Sequence, residues 1–344
     1  MNWLLVFIPV SLAAELAHIQ VLTFVCSALA IVPLSGLIGR ATEELAFHVG
    51  PRLGGLMNAS FGNLTELIVA SLLVLANQFQ VAKASLIGSI IGNLLLVLGL
   101  AFVVGGARRS EQRFSARAAS VHSASLVLAV AALLMPAILV LTSRGVSPAQ
   151  TEILSALVSG VLVVTYLASI AFTQFTHTHL FKTDEEGGDP SWSRRRATVV
   201  LMLAAIAVGM ESEFLVSSLN PALSALHLPV LFVGLILIPV IGNAAEHSSA
   251  VLFALRNRMD ITLEIAIGSS SQVALFVAPA VVFISLLMGH PMDFVFTGFE
   301  IATVALATSI VIVVCMDGRS NWLEGAQLVG TYLIVAAAAF FVGG

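Results

Sequence analysis

Two glutamates lie inside apolar segments, each closing the same short pattern. Gly62-Asn63-Leu64-Thr65-Glu66 returns as Gly242-Asn243-Ala244-Ala245-Glu246, and Gly88-Ser89 returns as Gly268-Ser269, so each glutamate precedes its serine by 23 positions. One offset of 180 residues aligns both, and it also makes Ala70/Ala250, Leu72/Leu252, Leu75/Leu255, Asn77/Asn257, Ile87/Ile267, Leu95/Leu275 and Val97/Val277 identical. A bare carboxylate near the centre of a bilayer costs roughly 2.5–3.5 kcal/mol on insertion scales, so such acids mark places where a cation or a proton compensates them. The chemistry implied is exchange of a cation for protons at a site that is neutral with either and unfavourable when empty.

The neighbouring residues suit a hard cation. Asn63 and Glu66 stand i, i+3 on a helix, as do Asn243 and Glu246, which gives each copy one carboxylate and one amide oxygen. Ser89 with Asn93 and Ser269 with Gln272 add hydroxyl and amide oxygens from the following segments. All-oxygen coordination favours Ca²⁺ over Zn²⁺ or Cu⁺. The same small and polar residues also serve simple helix packing in membranes, so both readings stand for Ser89, Asn93, Ser269 and Gln272. Gly62, Gly88, Gly242 and Gly268, with Pro239 before the second motif, are expected to loosen the helix and free backbone carbonyls. His247, directly after Glu246, is a candidate proton relay or a histidine held in a helix interface. His18, His48 and His122 fall at span ends and read as structural. Glu43, Glu44, Glu211, Glu213 and Glu300 lie near span ends or lack a repeat partner.

Hydrophobic residues make up 58% of the 344 and charged residues 10%, against roughly 45–50% and about 25% in soluble domains. Apolar stretches of about 20 residues recur, a length that crosses a bilayer as helix. The expected fold is therefore all-α and polytopic, with about 11 transmembrane helices. A short N-terminal helix at Trp3 to Ala14 precedes five spans near Ile19–Gly39, Gly54–Asn77, Ala84–Gly106, Val121–Thr142 and Thr151–Phe175. Five more lie near Ala197–Leu219, Leu228–Leu255, Thr262–Met288, Phe294–Met316 and Trp322–Val342. The segments are thus 1–18, a first repeat 19–175, a linker 176–196 and a second repeat 197–344. The run Met1 to Ala14 has no basic start, so a helix is expected rather than a cleaved signal.

Lys and Arg divide unevenly between alternate loops. Thirteen (Arg40, Arg52, Arg108, Arg109, Arg113, Arg117, Lys182, Arg194, Arg195, Arg196, Arg256, Arg258 and Arg319) fall on one side and two (Lys83 and Arg144) on the other. Basic loops stay in the cytoplasm, so linker 176–196 is expected there and the C-terminus outside. Five spans separate the copies, so the repeats are inverted and their motifs can meet near the midplane. Within the linker, Asp184, Glu185, Glu186 and Asp189 read as a solvated acidic run, the alternative being a regulatory Ca²⁺ site. Cys26 and Cys315 lie inside spans, which supports neither disulfides nor a thiolate metal site. No His-Glu-x-x-His, Gly-x-Ser-x-Gly or mid-helix Asp pair supports an intramembrane enzyme, and no nucleic-acid partner is expected; the partners are the bilayer and the transported ions.

At Gly62 to Glu66, Gly88-Ser89-Ile90-Ile91-Gly92-Asn93, Gly242 to His247 and Gly268-Ser269-Ser270-Ser271-Gln272, the chain resembles the Ca²⁺/H⁺ antiporters of the cation/Ca²⁺ exchanger superfamily. The resemblance covers nearly the whole length. It implies eleven helices, with the N-terminal one outside the five-plus-five core, and exchange of cytosolic Ca²⁺ for external or lumenal protons. It implies Glu66 and Glu246 as the exchanging, metal-binding acids, with Asn63, Asn243, Ser89, Asn93, Ser269 and Gln272 around them, and no cofactor. The alternative in the same superfamily is a Na⁺/Ca²⁺ exchanger, whose repeats typically read Gly-Thr-Ser-x-Pro-Glu; here Asn63 and Asn243 replace the threonine and no proline directly precedes either glutamate. A cation channel is the other alternative. Two carboxylates point to about two protons per Ca²⁺. The compact termini favour a prokaryotic cell membrane over a vacuolar or other organellar one.

Overall fold

The computed structural model describes residues 2–177 and 190–342; the acidic run Asp184 to Asp189 lies outside them. After a 3-10 turn at Asn2–Val6 come α1 (Phe7–Leu16), α2 (Gln20–Val49), α3 (Pro51–Phe61), α4 (Leu64–Leu75), α5 (Phe79–Gly106), α6 (Ala116–Thr142) and α7 (Pro148–Thr176). Then follow α8 (Arg194–Ser217), α9 (Leu219–Leu226), α10 (Val230–Gly242), α11 (Ala244–Leu255), α12 (Met259–Leu287), α13 (Gly298–Cys315) and α14 (Trp322–Val342). Short strands β1 (Gln112–Arg113) and β2 (Arg319–Ser320) pair antiparallel.

Among the described residues, eight helices are long and apolar enough to cross a membrane, and the bent pair α9 and α10 makes a ninth. The eight are α2, α5, α6, α7, α8, α12, α13 and α14. Both expected spans that carry a repeated glutamate are interrupted. One is divided into α3 and α4, and the other, Leu228–Leu255, into α10 and α11, with the short α9 before it meeting α10 at 118°. His227 makes that bend in the left-handed region at φ 53°, and Pro229 directly precedes the next helix. Asn77 and Asn257, partners at the 180-residue offset, close α4 and α11 with φ 58° and 61°, a conformation asparagine tolerates at helix ends. The N-terminal helix is shorter than a full span. Hydropathy stopped the first long span at Gly39, whereas α2 continues through Arg40 to Val49; charge outside the hydrocarbon does not end a helix, and the stop comes at Gly50 with φ 85°.

The chain forms two compact units, each with elements from both halves. The first comprises Met1–Ser85, Glu186–Glu246 and Ala339–Gly344. Its core is the seam between α2 and α8, where Leu34, Ile38, Ala41 and Leu45 meet Ala197, Leu201, Ala204 and Val208. Both sets repeat at spacings of four, three and four, the stripe a helix needs to bury one face. At one end of the seam Trp192 lies between the Arg40 and Arg196 guanidinium groups, each 4.8 Å from its ring centroid. Its N–H donates to Glu44 Oε2 at 2.9 Å, its carbonyl accepts from His48 Nε2 at 2.7 Å, and the Ser191 hydroxyl donates to Glu44 Oε1. The end of the linker is thereby tied to the end of α2.

The second unit comprises Leu86–Glu185 and His247–Ala338. The loop between α5 and α6 straps its helices together. Gln112 Nε2 donates to the Ala254 carbonyl and to Asn257 Oδ1, Ser115 N–H donates to Asp260 Oδ1 at 2.7 Å, and Glu111 pairs with Arg319 at 2.9 Å. The loops after α5, α11 and α13, all from the basic set, therefore share one end of this unit. Elsewhere α14 crosses α5 through glycine: a Cβ on Gly325 would stand 2.5 Å from the Val103 nitrogen and 2.6 Å from the Gly99 carbonyl oxygen. Gly325→Ala should force these helices apart at a cost of about 1–3 kcal/mol, lowering the melting temperature in detergent. Gly330→Ala, on the same helix with open space at its Cβ, should not.

Candidate functional site

The repeated motifs act on the backbone first. Asn63 and Asn243 leave helical geometry in nearly the same way, with φ −96° and ψ 25° at one and φ −96° and ψ 6° at the other. Helix restarts at Leu64 and at Ala244, which places Glu66 and Glu246 in the first turn of α4 and of α11. The first N–H groups of a helix lack intrahelical acceptors and carry about half a positive charge. Each acid is therefore held where the backbone itself favours a negative group. Asn63 does not cap α4 with its side chain.

Within the first unit the two motifs come together. The end of α10 packs on α4, and Glu246 Oε1 lies 4.0 Å from where a Cβ on Gly62 would stand. The steric reason for the glycine of the motif lies elsewhere, since a Cβ there would stand 2.7 Å from the Asn58 carbonyl oxygen. The carboxyl groups of Glu66 and Glu246 lie within electrostatic reach of each other. Asn63 and Asn243 are buried to 1% exposure and Glu66 to 9%. One acid and one amide from each half of the sequence thus occupy one unit, a donor set of hard oxygens. Among the described residues, no group of three or more His, Cys, Asp and Glu side chains is placed to hold a metal ion.

Ser89, Asn93, Ser269 and Gln272 belong to the second unit, where α5 packs on α12 around them. Ser89 and Ser269 are buried. Asn93 is fully buried, and neither its amide nitrogen nor its oxygen has a hydrogen-bond partner. An unsatisfied buried amide costs about 1–3 kcal/mol, a cost that a ligand can relieve. The backbone beside these residues takes π geometry at Gly92–Val97 and again at Val273–Val277, matched by the repeat offset, and also at Glu264–Gly268. Such segments recur at functional sites. At Gly88 the helix runs on regularly, so the expected loosening comes four residues later; Gly268 closes a π segment as its motif suggests. His247 is partly buried, and its Nε2 has no hydrogen-bond partner.

Of the remaining acids, Glu300 caps α13 in a reciprocal pair with Thr297 and Glu44 holds Trp192. Glu211, fully buried in α8, accepts from Ser11 of α1 at 2.9 Å, which docks the N-terminal helix. Glu43 and Glu213 are exposed. His122, expected at a span end, stands inside α6, and its Cε1 is 4.0 Å from the Cβ position at Gly268. Glu264, which hydropathy passes over, reaches the same position with its Cγ at 3.6 Å; its signal is the four-residue spacing to Asp260, Gly268 and Gln272.

Comparison with known proteins places the chain in context. Residues 19–175 and 196–341 match the family described as sodium/calcium exchanger protein. A Ca²⁺/H⁺ antiporter of Aphanothece halophytica is 44% identical over 98% of this chain and 95% of its own. The Ca²⁺/H⁺ antiporter ChaA of Bacillus subtilis is 38% identical over 97% of each. The solved structure of native YfkE superposes with a TM-score of 0.86 at 36% identity, covering 97% of both chains.

Two facing carboxyl groups should cost the ion-free protein stability through like-charge repulsion in a poor dielectric. Glu66→Gln should therefore raise the melting temperature measured without Ca²⁺ at alkaline pH by several degrees, and should abolish the further rise that Ca²⁺ gives the unmutated chain. An ion-free melting temperature that falls instead would assign Glu66 a structural bond rather than a repulsive one.

Proposed function

The chain belongs to the sodium/calcium exchanger protein family, and on that premise we propose that it is a secondary active transporter exchanging cytosolic Ca²⁺ for protons at a site built on Glu66 and Glu246. The observation that carries this reading is the pair itself: two acids from opposite halves, each in the first turn of a helix restarted inside an interrupted span. The identity to Ca²⁺/H⁺ antiporters along nearly the full length supports protons over Na⁺ as the driving ion.

The cycle follows from charge. Both carboxylates, ionised, neutralise one Ca²⁺, and the Asn63 and Asn243 amides complete part of its shell; Ser89, Asn93, Ser269 and Gln272 are the further oxygens proposed from sequence. As pH falls on the release side, protons compete for the same oxygens, the carboxylates lose their charge, and Ca²⁺ leaves. The protonated pair is neutral and can reorient, and deprotonation on the other side restores affinity. Apparent Ca²⁺ affinity therefore falls with falling pH, and about two protons return per Ca²⁺. His247, beside Glu246 in sequence, is the proposed relay.

Alternating access uses two inverted five-helix repeats, 19–175 and 197–344, with 1–18 as an added helix and 176–196 as a cytoplasmic linker. The substrates are Ca²⁺ and H⁺, with no cofactor in the cycle. The proposed location is the cell membrane of a prokaryote, in keeping with the Bacillus relative.

Proteoliposomes with an acid interior test this directly. Ca²⁺ uptake should require the pH gradient, acidify the exterior and ignore a Na⁺ gradient. Uptake driven by Na⁺ alone would move the chain to Na⁺/Ca²⁺ exchange, and flux indifferent to both would make it a channel. In binding, truncating one partner of a buried charge pair costs roughly 2–5 kcal/mol, so Glu66→Gln and Glu246→Gln, each leaving one carboxylate for the cation, should each cut exchange by about a hundredfold while the protein still elutes as a folded species.

A further inference from the structure

Glu211 of α8 is 0% exposed, and so is Ser11 of α1, whose hydroxyl lies 2.9 Å from Glu211 Oε1. The same hydroxyl lies 2.8 Å from the Ile8 carbonyl oxygen. A hydroxyl has one hydrogen to donate and lone pairs with which to accept, whereas a carbonyl can only accept. Both contacts are therefore full hydrogen bonds only when Ser11 donates to Ile8 and Glu211, carrying a proton, donates to Ser11. An ionised Glu211 would compete with Ile8 for a single hydrogen. Its second oxygen, Oε2, has no hydrogen-bond partner, which is tolerable for the carbonyl oxygen of a neutral acid and much costlier for a buried carboxylate.

The surroundings supply no positive charge in place of that proton. Helix α8 packs against α1, α2, α4 and α9. From α1 comes Glu15, one turn beyond Ser11 and half-buried, and from α2 comes Cys26, buried within electrostatic reach of Glu211. The acid of α4 is Glu66, which acts on Glu246 rather than on Glu211, and α9 has no titratable side chain. Glu213, on α8 itself, is exposed. Arg40 and Arg196 are held on Trp192 at the other end of the seam, about 22 Å along α8 at 1.5 Å per residue. Among the described residues no Lys, Arg or His acts on Glu211.

We propose that Glu211 and Ser11 form a second proton site, apart from the Glu66 and Glu246 pair, and that its proton docks α1 on α8. Leu5 and Ile8 pack on the seam between α2 and α8, so α1 lies across both helices and the proton fastens it there. The position matching Glu211 at the repeat offset is Ile31, so this site occurs once, whereas the exchanging acids occur as a pair. Docking favours the protonated acid, so α1 is held at acid pH and released as pH rises. The inference does not rest on the antiporter reading, because proton and docking are both read on purified protein.

Infrared spectra in lipid report the proton through the carbonyl stretch of un-ionised carboxyl groups, and a Glu66→Gln/Glu246→Gln background removes the exchanging pair. At mildly acid pH, where exposed carboxyl groups are already ionised, Glu211→Gln should delete one carboxyl band. Ser11→Ala should move that band to higher frequency, as loss of a hydrogen bond does. A carboxyl region untouched by Glu211→Gln would overturn the proposal. Docking is read at Cys26, with Cys315→Ser leaving it the sole thiol. Its alkylation should rise with pH more steeply than the roughly tenfold per pH unit that thiolate formation alone gives. Glu211→Gln, a permanent stand-in for the protonated acid, should remove the excess, and Ser11→Ala should raise labelling already at mildly acid pH. Equal slopes in the wild type and in Glu211→Gln would sink the idea.

Discussion

Two acids that repel each other inside an apolar layer set the terms for everything around them. Water cannot neutralise them there, so neutrality has to come from something that arrives and leaves. The protein contributes a fixed part, the positive ends of α4 and α11, created by stopping one helix and starting another within a span. A continuous helix could not do this, because its mid-span N–H groups are already bonded. The interruption at Asn63 and its twin at Asn243 are thus the cost of making a carboxylate tolerable without making it inert. A lysine partner would have stabilised the acids permanently and removed any reason for a cation to bind.

The same constraint accounts for the unequal treatment of the spans. Among the described residues, eight helices are each long enough to cross a membrane, while the glutamate-bearing segments are divided. Where α5 and α12 flank polar residues, the backbone keeps its helix but shifts to π bonding, a milder departure that re-aims side chains without exposing carbonyls to lipid. The π segments at Gly92–Val97 and Val273–Val277 are packed inside protein.

Much of this was legible in the sequence, because the signals are strong ones. Length and hydropathy suffice for the spans, and α14 is found with the expected bounds. The repeated Gly-Asn-x-x-Glu pattern identifies the acids, and alternation of basic loops anticipates which loops share an end. What escaped was contextual. Hydropathy reads Arg40 as an end, although α2 continues to Gly50. It cannot see that Gly88 is held straight by its neighbours while Gly92 is not, since both glycines look alike in one dimension. Glu264 was hidden for a related reason: one acid in an apolar segment has no repeat partner to flag it, and its meaning depends on which residues of α6 lie alongside.

The compact units also have a bearing on how the chain is made. The first unit joins residues up to Ser85 with residues from Glu186 onward, so the hundred residues between must be synthesised before it can close. Glu246 follows Glu66 by 180 residues, so at about 5–20 residues per second Glu66 waits about 9–36 s for it. A growing chain therefore makes one acid of the pair well before the other exists. The order of translation therefore bears on how this chain reaches its fold, because the first unit closes only around residues made late.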